Sequence, residues 1–297
     1  MNADKVYSGI MGLVVGDALG VPFEFRQRDT FKAEGMTGYG THNQPPGTWS
    51  DDSSMTLATM ESIAHQGEIF PQDIMWNFLN WLITGAFTPY GEVFDAGNTT
   101  IRAIKCFQNG VYAPYCGGTS EMDNGNGALM RILPLAFIPH SIKDIRTVAG
   151  LTHAHNTSKT ACEIYVFVAV NLLAGMDKGN AVSFALGDNV HWPVPFDRLY
   201  NLYELSREEI RSTGYVVDTL EAALWCLLKT DSYRECVLTA VNLGGDTDTI
   251  AAVAGGLAGI LYGVGGEKGI PEEWIEQIAK RDEIKQLCER FAQLKGD

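Results

Sequence analysis

The chain has 297 residues, 45% hydrophobic and 20% charged, an ordinary globular composition able to bury a sizeable core. With 22 Lys and Arg against 36 Asp and Glu the formal net charge is -14, which argues against nucleic acid or an anionic membrane as a main partner, since both need a basic face. Its six cysteines include no Cys-x-x-Cys pair and read as reduced core residues, and the amino terminus lacks a basic-then-apolar leader, so a cytoplasmic protein is expected.

Helical periodicity predicts a first helix over Asp4–Leu19, with Gly9, Gly12 and Gly16 suited to close packing and Gly20 and Pro22 ending it. Asp17 reads as a structural, hydrogen-bonding carboxylate. Glu24 follows the stop, either reaching a metal centre and handling a proton or lying solvated beside Arg26 and Arg28. Helices are then expected at Ser53–His65, Pro71–Thr84, Asn98–Gln108 and Gly127–Phe137. They continue at Ser141–Leu151, Ser158–Leu173, Asn180–Leu186, Val217–Leu228, Ser232–Asn242, Thr247–Tyr262 and Pro271–Leu294. Strand-like alternation is scarce, and no repeat or composition break divides the chain. The expectation is one compact all-α domain over residues 1–297, a monomer. The apolar runs Ile164–Ala174 and Ile250–Leu261 fall short of the roughly 20 residues that cross a bilayer. The Gly-, Pro- and Asn-rich connections at 35–47, 112–126 and 188–206 are longer than usual and read as functional loops.

Two of these helices open on acidic clusters. Ser50-Asp51-Asp52-Ser53 precedes one, and Asp246-Thr247-Asp248-Thr249 begins another near the far end of the chain. Capping accounts for one side-chain oxygen at a helix start. Two carboxylates each, beside apolar segments, repel one another unless a cation lies between them. Carboxylate and hydroxyl oxygens suit Mg2+ or Mn2+, and two ions close together need shared carboxylates, so the two clusters are expected to converge.

Three further segments carry chemistry. Asp123-Asn124-Gly125-Asn126-Gly127 is a glycine-rich loop feeding a predicted helix, where exposed amides cradle a phosphate without net positive charge; an ordinary capped turn is the plain alternative. It has no Gly-Lys-Ser/Thr, and Met130 breaks a dinucleotide Gly-x-Gly-x-x-Gly pattern. Asp95 stands at another loop-to-helix junction, where N-capping is the plain reading. His153 and His155 lack a companion Cys or carboxylate at zinc spacing, which leaves ligand-contact or structural roles.

Together, Gly16-Asp17-Ala18-Leu19-Gly20 with Glu24, the Ser-Asp-Asp-Ser cluster, Gly97-Asn98-Thr99-Thr100, Asn126-Gly127-Ala128-Leu129-Met130-Arg131, Thr152-His153 and Gly244-Gly245-Asp246-Thr247-Asp248-Thr249 resemble the ADP-ribosylglycohydrolase family. The resemblance runs in order from about residue 9 to 262. It implies an all-α fold, a compact orthogonal multi-helix bundle, two Mg2+ or Mn2+ ions, and cleavage of the bond between ADP-ribose and an acceptor. By the same resemblance Ser50, Asp51, Asp52, Asp246, Asp248 and Thr249 are metal ligands, Asp248 bridging and Ser50 replacing the more usual threonine. Glu24, Asp51 and Asp248 are then catalytic. The strip from Asn124 to Met130, with Gly125, Asn126, Gly127, Ala128, Leu129 and Met130, faces the diphosphate, and His153 faces the ligand. Asp95 is similar to the carboxylate that meets arginine, so ADP-ribosyl-arginine on a protein is the expected substrate. The alternatives are serine-, nucleobase- or acetyl-linked ADP-ribose, or a non-catalytic ADP-ribose binder.

Overall fold

The computed structural model describes residues 2–187, 192 and 194–294. Among them are twelve α-helices: α1 (Ala3–Gly20), α2 (Asp51–Gln66), α3 (Pro71–Thr84), α4 (Asn98–Gln108), α5 (Ile142–Gly150), α6 (Asn156–Leu173), α7 (Lys178–Leu186), α8 (Val216–Lys229), α9 (Tyr233–Val241), α10 (Thr247–Tyr262), α11 (Glu272–Ile275) and α12 (Arg281–Ala292). Short 3-10 turns fill several connections, and only isolated β-bridges occur among the described residues. The fold is all-α, as the periodicity predicts.

The helix that organises the bundle is α1. By length and composition Ala3–Phe23 could cross a membrane, yet 89% of its most apolar 18-residue stretch is buried inside the fold, which is the setting of a core helix. It lies against α10 at backbone contact. A Cβ at Gly16 would sit 2.1 Å from the Ala251 carbonyl oxygen, and one at Gly20 would sit 2.3 Å from the Asp248 Cα. Only glycine lets the two backbones approach that closely. The Thr247 hydroxyl donates to the Gly20 carbonyl at 2.8 Å, which pins the start of α10 to the end of α1.

The same end of α1 holds α2. The Asp17 carboxylate accepts from the Ser50 amide at 2.9 Å, the Ser53 amide at 3.0 Å and the Ser53 hydroxyl at 2.5 Å. Asp17 is therefore the structural carboxylate the sequence suggests, satisfying amides that a helix start leaves without partners. Both acidic helix starts thus pivot on one turn of α1.

Two predicted helices are not continuous. Over Gly127–Phe137 the chain forms two 3-10 turns, Asn126–Arg131 and Leu133–Phe137, with Pro134 opening the second. Proline there removes an amide donor and its ring opposes the preceding turn. Pro271–Leu294 divides into α11 and α12 at Lys280, whose φ is 48°. Tertiary contacts favour that break: the Ala279 amide donates to the Gly47 carbonyl at 3.1 Å and the Lys280 ammonium to the Thr88 carbonyl at 3.1 Å. Of the long connection expected at 188–206, residues 188–191 and 193 lie outside the described residues, and Asp197–Asn201 forms a 3-10 turn.

Candidate metal centre and ligand cleft

The turn carrying Glu24 and the turn entering α10 are tied by two backbone hydrogen bonds. The Phe25 amide donates to the Gly245 carbonyl at 2.7 Å, and the Gly245 amide to the Arg26 carbonyl at 2.9 Å. Gly244 and Gly245 have φ of 70° and 75°, a left-handed pair that reverses the chain into Asp246. Glu24, Asp246 and Asp248 consequently meet, with carboxylate oxygens within 4.8 Å of one another. Asp17, Asp52 and Asp248 form a second such group at the same limit. Asp248 belongs to both.

Most of these carboxylates are not spent on capping. Ser50 caps α2, its hydroxyl accepting from the Asp52 amide at 3.3 Å and donating to Asp52 Oδ2 at 2.9 Å. Asp246 occupies the N-cap of α10 without making the side-chain cap bond. Asp52 Oδ1, Asp246 Oδ1 and Asp248 Oδ2 are buried and have no hydrogen-bond partner among the described residues. Buried carboxylate oxygens without donors are costly, and a divalent cation is the partner that this oxygen-only donor set fits. The Thr249 hydroxyl, 3.4 Å from Asp52 Oδ2, and the Ser50 hydroxyl complete the oxygen lining.

Electrostatics agrees. Burial, reinforced by neighbouring carboxylates, raises Asp51, Asp52 and Asp248 well above the usual carboxylate range. Asp246 rises through burial. Burial lifts Asp17 to about 6 against its Ser53 and Ser50 bonds, and Glu24 to about 7 against the bond from His42. A cluster that resists ionisation as a bare protein is one in which a cation changes the balance.

The cluster borders a cleft of about 270 Å³. Of the residues picked from sequence, Glu24, Asp51, Asp95, Asp246, Thr249 and His153 line it, as do Gly125, Asn126, Gly127 and Met130. Ser50, Asp52 and Asp248 lie buried behind them. Ala128 and Leu129 are buried and are not part of the cleft lining, because the 3-10 turn puts them on its inner side. Asn126 joins the two regions: its amide group donates to Asp246 Oδ2 at 2.9 Å and to the Thr219 hydroxyl at 3.0 Å. His155 is elsewhere, its ring accepting from the Thr157 amide as the cap of α6.

Sequence reasoning misses several residues here. His42 bonds Glu24 directly through Nε2, and that bond raises its own pKa. Its ring packs near Phe25 and Phe94, 6.1 Å and 5.2 Å between centroids. Asp95 completes a group with Glu24 and His42 within 4.8 Å, and burial raises its carboxyl too. Phe25 and Asp95 both have positive φ, 62° and 50°; aspartate tolerates this conformation, but for a bulky residue such as Phe25 it is unfavourable and typical of chain held at a functional site. Asn98, Thr99 and Thr100, quoted from the sequence as a motif but given no role there, also line the cleft, as does Gly214. The length of the 35–47 loop is the one sequence feature that points toward His42.

An all-α bundle that gathers carboxylates from both ends of the chain beside a polar cleft is a fold built around an acidic site able to hold a metal ion. Residues 2–297 match the model of the ADP-ribosylglycohydrolase family. ADP-ribosylarginine hydrolase Tri1 of Serratia proteamaculans is 33% identical over 300 residues, covering 98% of this chain and 79% of that protein. ADP-ribosyl-[dinitrogen reductase] glycohydrolase of Rhodospirillum rubrum is 32% identical over 307 residues, covering 99% and 97%. A solved structure, an ADP-ribosylglycohydrolase-related protein complex, superposes with a TM-score of 0.82 at 32% identity and covers 98% of each chain. The chain belongs to the ADP-ribosylglycohydrolase family.

Proposed function

We propose that this protein hydrolyses the bond between ADP-ribose and arginine on a modified protein, with two Mg2+ or Mn2+ ions held by Ser50, Asp51, Asp52, Asp246, Asp248 and Thr249. The observation that carries the reading is the position of Asp248, shared by two carboxylate groups and bearing a buried oxygen without a donor, as a bridging ligand requires. When bound, such ions would hold vicinal sugar hydroxyls and orient a water.

The protein's own groups supply the rest. Glu24, lifted to about 7 and held by His42, can give or take a proton near neutral pH, as an acid-base group must. The surrounding carboxylates favour the positive charge that develops at the anomeric carbon. Asp95, facing the cleft within 4.8 Å of Glu24, suits a guanidinium through paired charge-assisted hydrogen bonds. The Gly125–Gly127 wall and His153 offer donors to a diphosphate. The two relatives named above act on ADP-ribosylarginine and on ADP-ribosylated dinitrogen reductase, which supports the arginine assignment. A single domain, working in the cytoplasm as a monomer, fits the acidic composition and the free thiols.

The test is release of ADP-ribose from an arginine-modified protein, beside serine-, base- and acetyl-linked substrates. Asp51→Ala, Asp248→Ala and Glu24→Ala are each expected to abolish release. Turnover surviving in all three overturns the site, and faster turnover of another linkage overturns the acceptor.

A further inference from the structure

Arg131 is fully buried, yet among the described residues no carboxylate pairs with it. Its Nη2 donates to the Thr152 hydroxyl at 2.8 Å and to the Val148 carbonyl at 3.2 Å, its guanidinium lies 4.7 Å from the centre of the Phe78 ring, and among the described residues Nε and Nη1 have no partner. A buried cation so placed is expensive to maintain. What it does is visible one bond further on. The Thr152 hydroxyl lies 2.9 Å from His153 Nδ1, and the opposite side of that ring borders the cleft, its Nε2 3.4 Å from where Cβ atoms on Gly125 and Gly127 would stand.

We propose that Arg131 and Thr152 are positioning residues that fix His153 as the neutral tautomer with its proton on Nε2, so that the ring donates to an anionic oxygen of the ligand. Arginine has only donors, so Thr152 Oγ1 accepts from it, leaving the hydroxyl one hydrogen to give. The only acceptor the described residues set against that hydrogen is Nδ1. If Nδ1 carried the proton instead, two donors would converge on one oxygen and a buried hydroxyl would have nowhere to donate. With Nδ1 accepting, Nε2 must carry the proton, and among the described residues no protein group receives it. His153 is 3% exposed and lines the cleft, so this is an unpartnered donor on a nearly buried ring at the cleft wall. Burial and the positive charge of Arg131 also keep the ring neutral, holding its pKa down to about 3. A cation placed behind a neutral histidine thus yields a donor whose strength does not change with pH, in a wall close to the acidic cluster.

The choice of a diphosphate oxygen as acceptor rests on the proposed function; the tautomer does not. Nitrogen-15 spectra of histidine-labelled protein, assigned with His153→Asn, read it without ligand. A protonated Nε2 and bare Nδ1 are expected in the wild type and in Thr152→Ser. Thr152→Val is expected to give a tautomer mixture and about fivefold weaker calorimetric binding of ADP-ribose, restored by Thr152→Ser. A wild-type ring protonated on Nδ1, or a Thr152→Val ring unchanged from wild type, overturns the proposal. Unchanged ADP-ribose binding in a Thr152→Val protein whose tautomer has shifted overturns the ligand assignment and leaves the family reading standing.

Discussion

Asp248→Asn should make the metal-free protein more stable while abolishing its response to metal. In the structure, Asp248 oxygens lie within 4.8 Å of those of Asp17, Asp52, Glu24 and Asp246. At that separation and an effective dielectric of about 20, each ionised pair is unfavourable by roughly 3.5 kcal/mol. Proton uptake already relieves part of this, so removal of one charge should stabilise the bare protein by about 1–2 kcal/mol. Asparagine retains an oxygen to accept from the Thr249 amide, a bond of 2.9 Å in the wild type, and the change adds no volume. At about 2–4 °C per kcal/mol, the chelator-treated variant should melt roughly 2–8 °C above wild type. Wild type in metal at a hundred times Kd should gain about 2.7 kcal/mol, or roughly 5–10 °C. The variant should gain less than about a third of that. Thermal unfolding followed by intrinsic fluorescence, with EDTA and then with Mg2+ or Mn2+, reads both differences. A variant that melts below wild type in chelator and keeps the full metal shift would refute the picture of one shared, charge-strained carboxylate.

Other expectations follow from the same geometry. Gly16→Ala would press a methyl group to 2.1 Å from the Ala251 carbonyl oxygen, backbone that cannot swing aside, so a loss of about 3 kcal/mol and a drop in melting temperature of roughly 6–12 °C are expected; an unchanged melting temperature contradicts the close contact of α1 and α10. Metal-free stability should decline with rising pH: Asp17 moves from 3.8 to about 6 and Glu24 from 4.5 to about 7, so the folded state holds the extra protons, and stability present below about pH 4 is lost by about pH 7. Asp17 alone accounts for about 3 kcal/mol of this, and saturating metal should reverse the slope; denaturant titrations at pH 4.5, 6 and 7.5 would show it. Asp95→Ala should raise KM for an arginine-linked substrate at least about tenfold while changing calorimetric affinity for free ADP-ribose less than about twofold. Equal losses in both would place Asp95 on the ADP-ribose side of the cleft.

How much of this could be read from sequence depends on whether the information is local. The limits of α3 and α4 match the expectation because Pro71 opens one, Gly85 closes it in a left-handed conformation, and Gly97 precedes the other. The acidic clusters are also local, and so are recognisable by spacing. Their convergence is not local: it depends on glycines of α1 meeting the backbone of α10, which a single helical pattern cannot reveal. His42 itself cannot be singled out for the same reason, since it reaches Glu24 from a long loop without periodicity. Ala128 and Leu129 share a motif with cleft residues but occupy a tighter turn, whose three-residue repeat sends them inward. The interruption at Lys280 is set by hydrogen bonds to residues 47 and 88, far away in the chain.

The seam between the first and tenth helices has a consequence for biosynthesis. Thr249 and Asp52 stand 197 positions apart, so no ion can find its full set of oxygens until the last of those helices has left the ribosome and docked. Nascent or clipped chains would then hold a divalent cation poorly, and occupancy would act as a seal set only upon completed molecules.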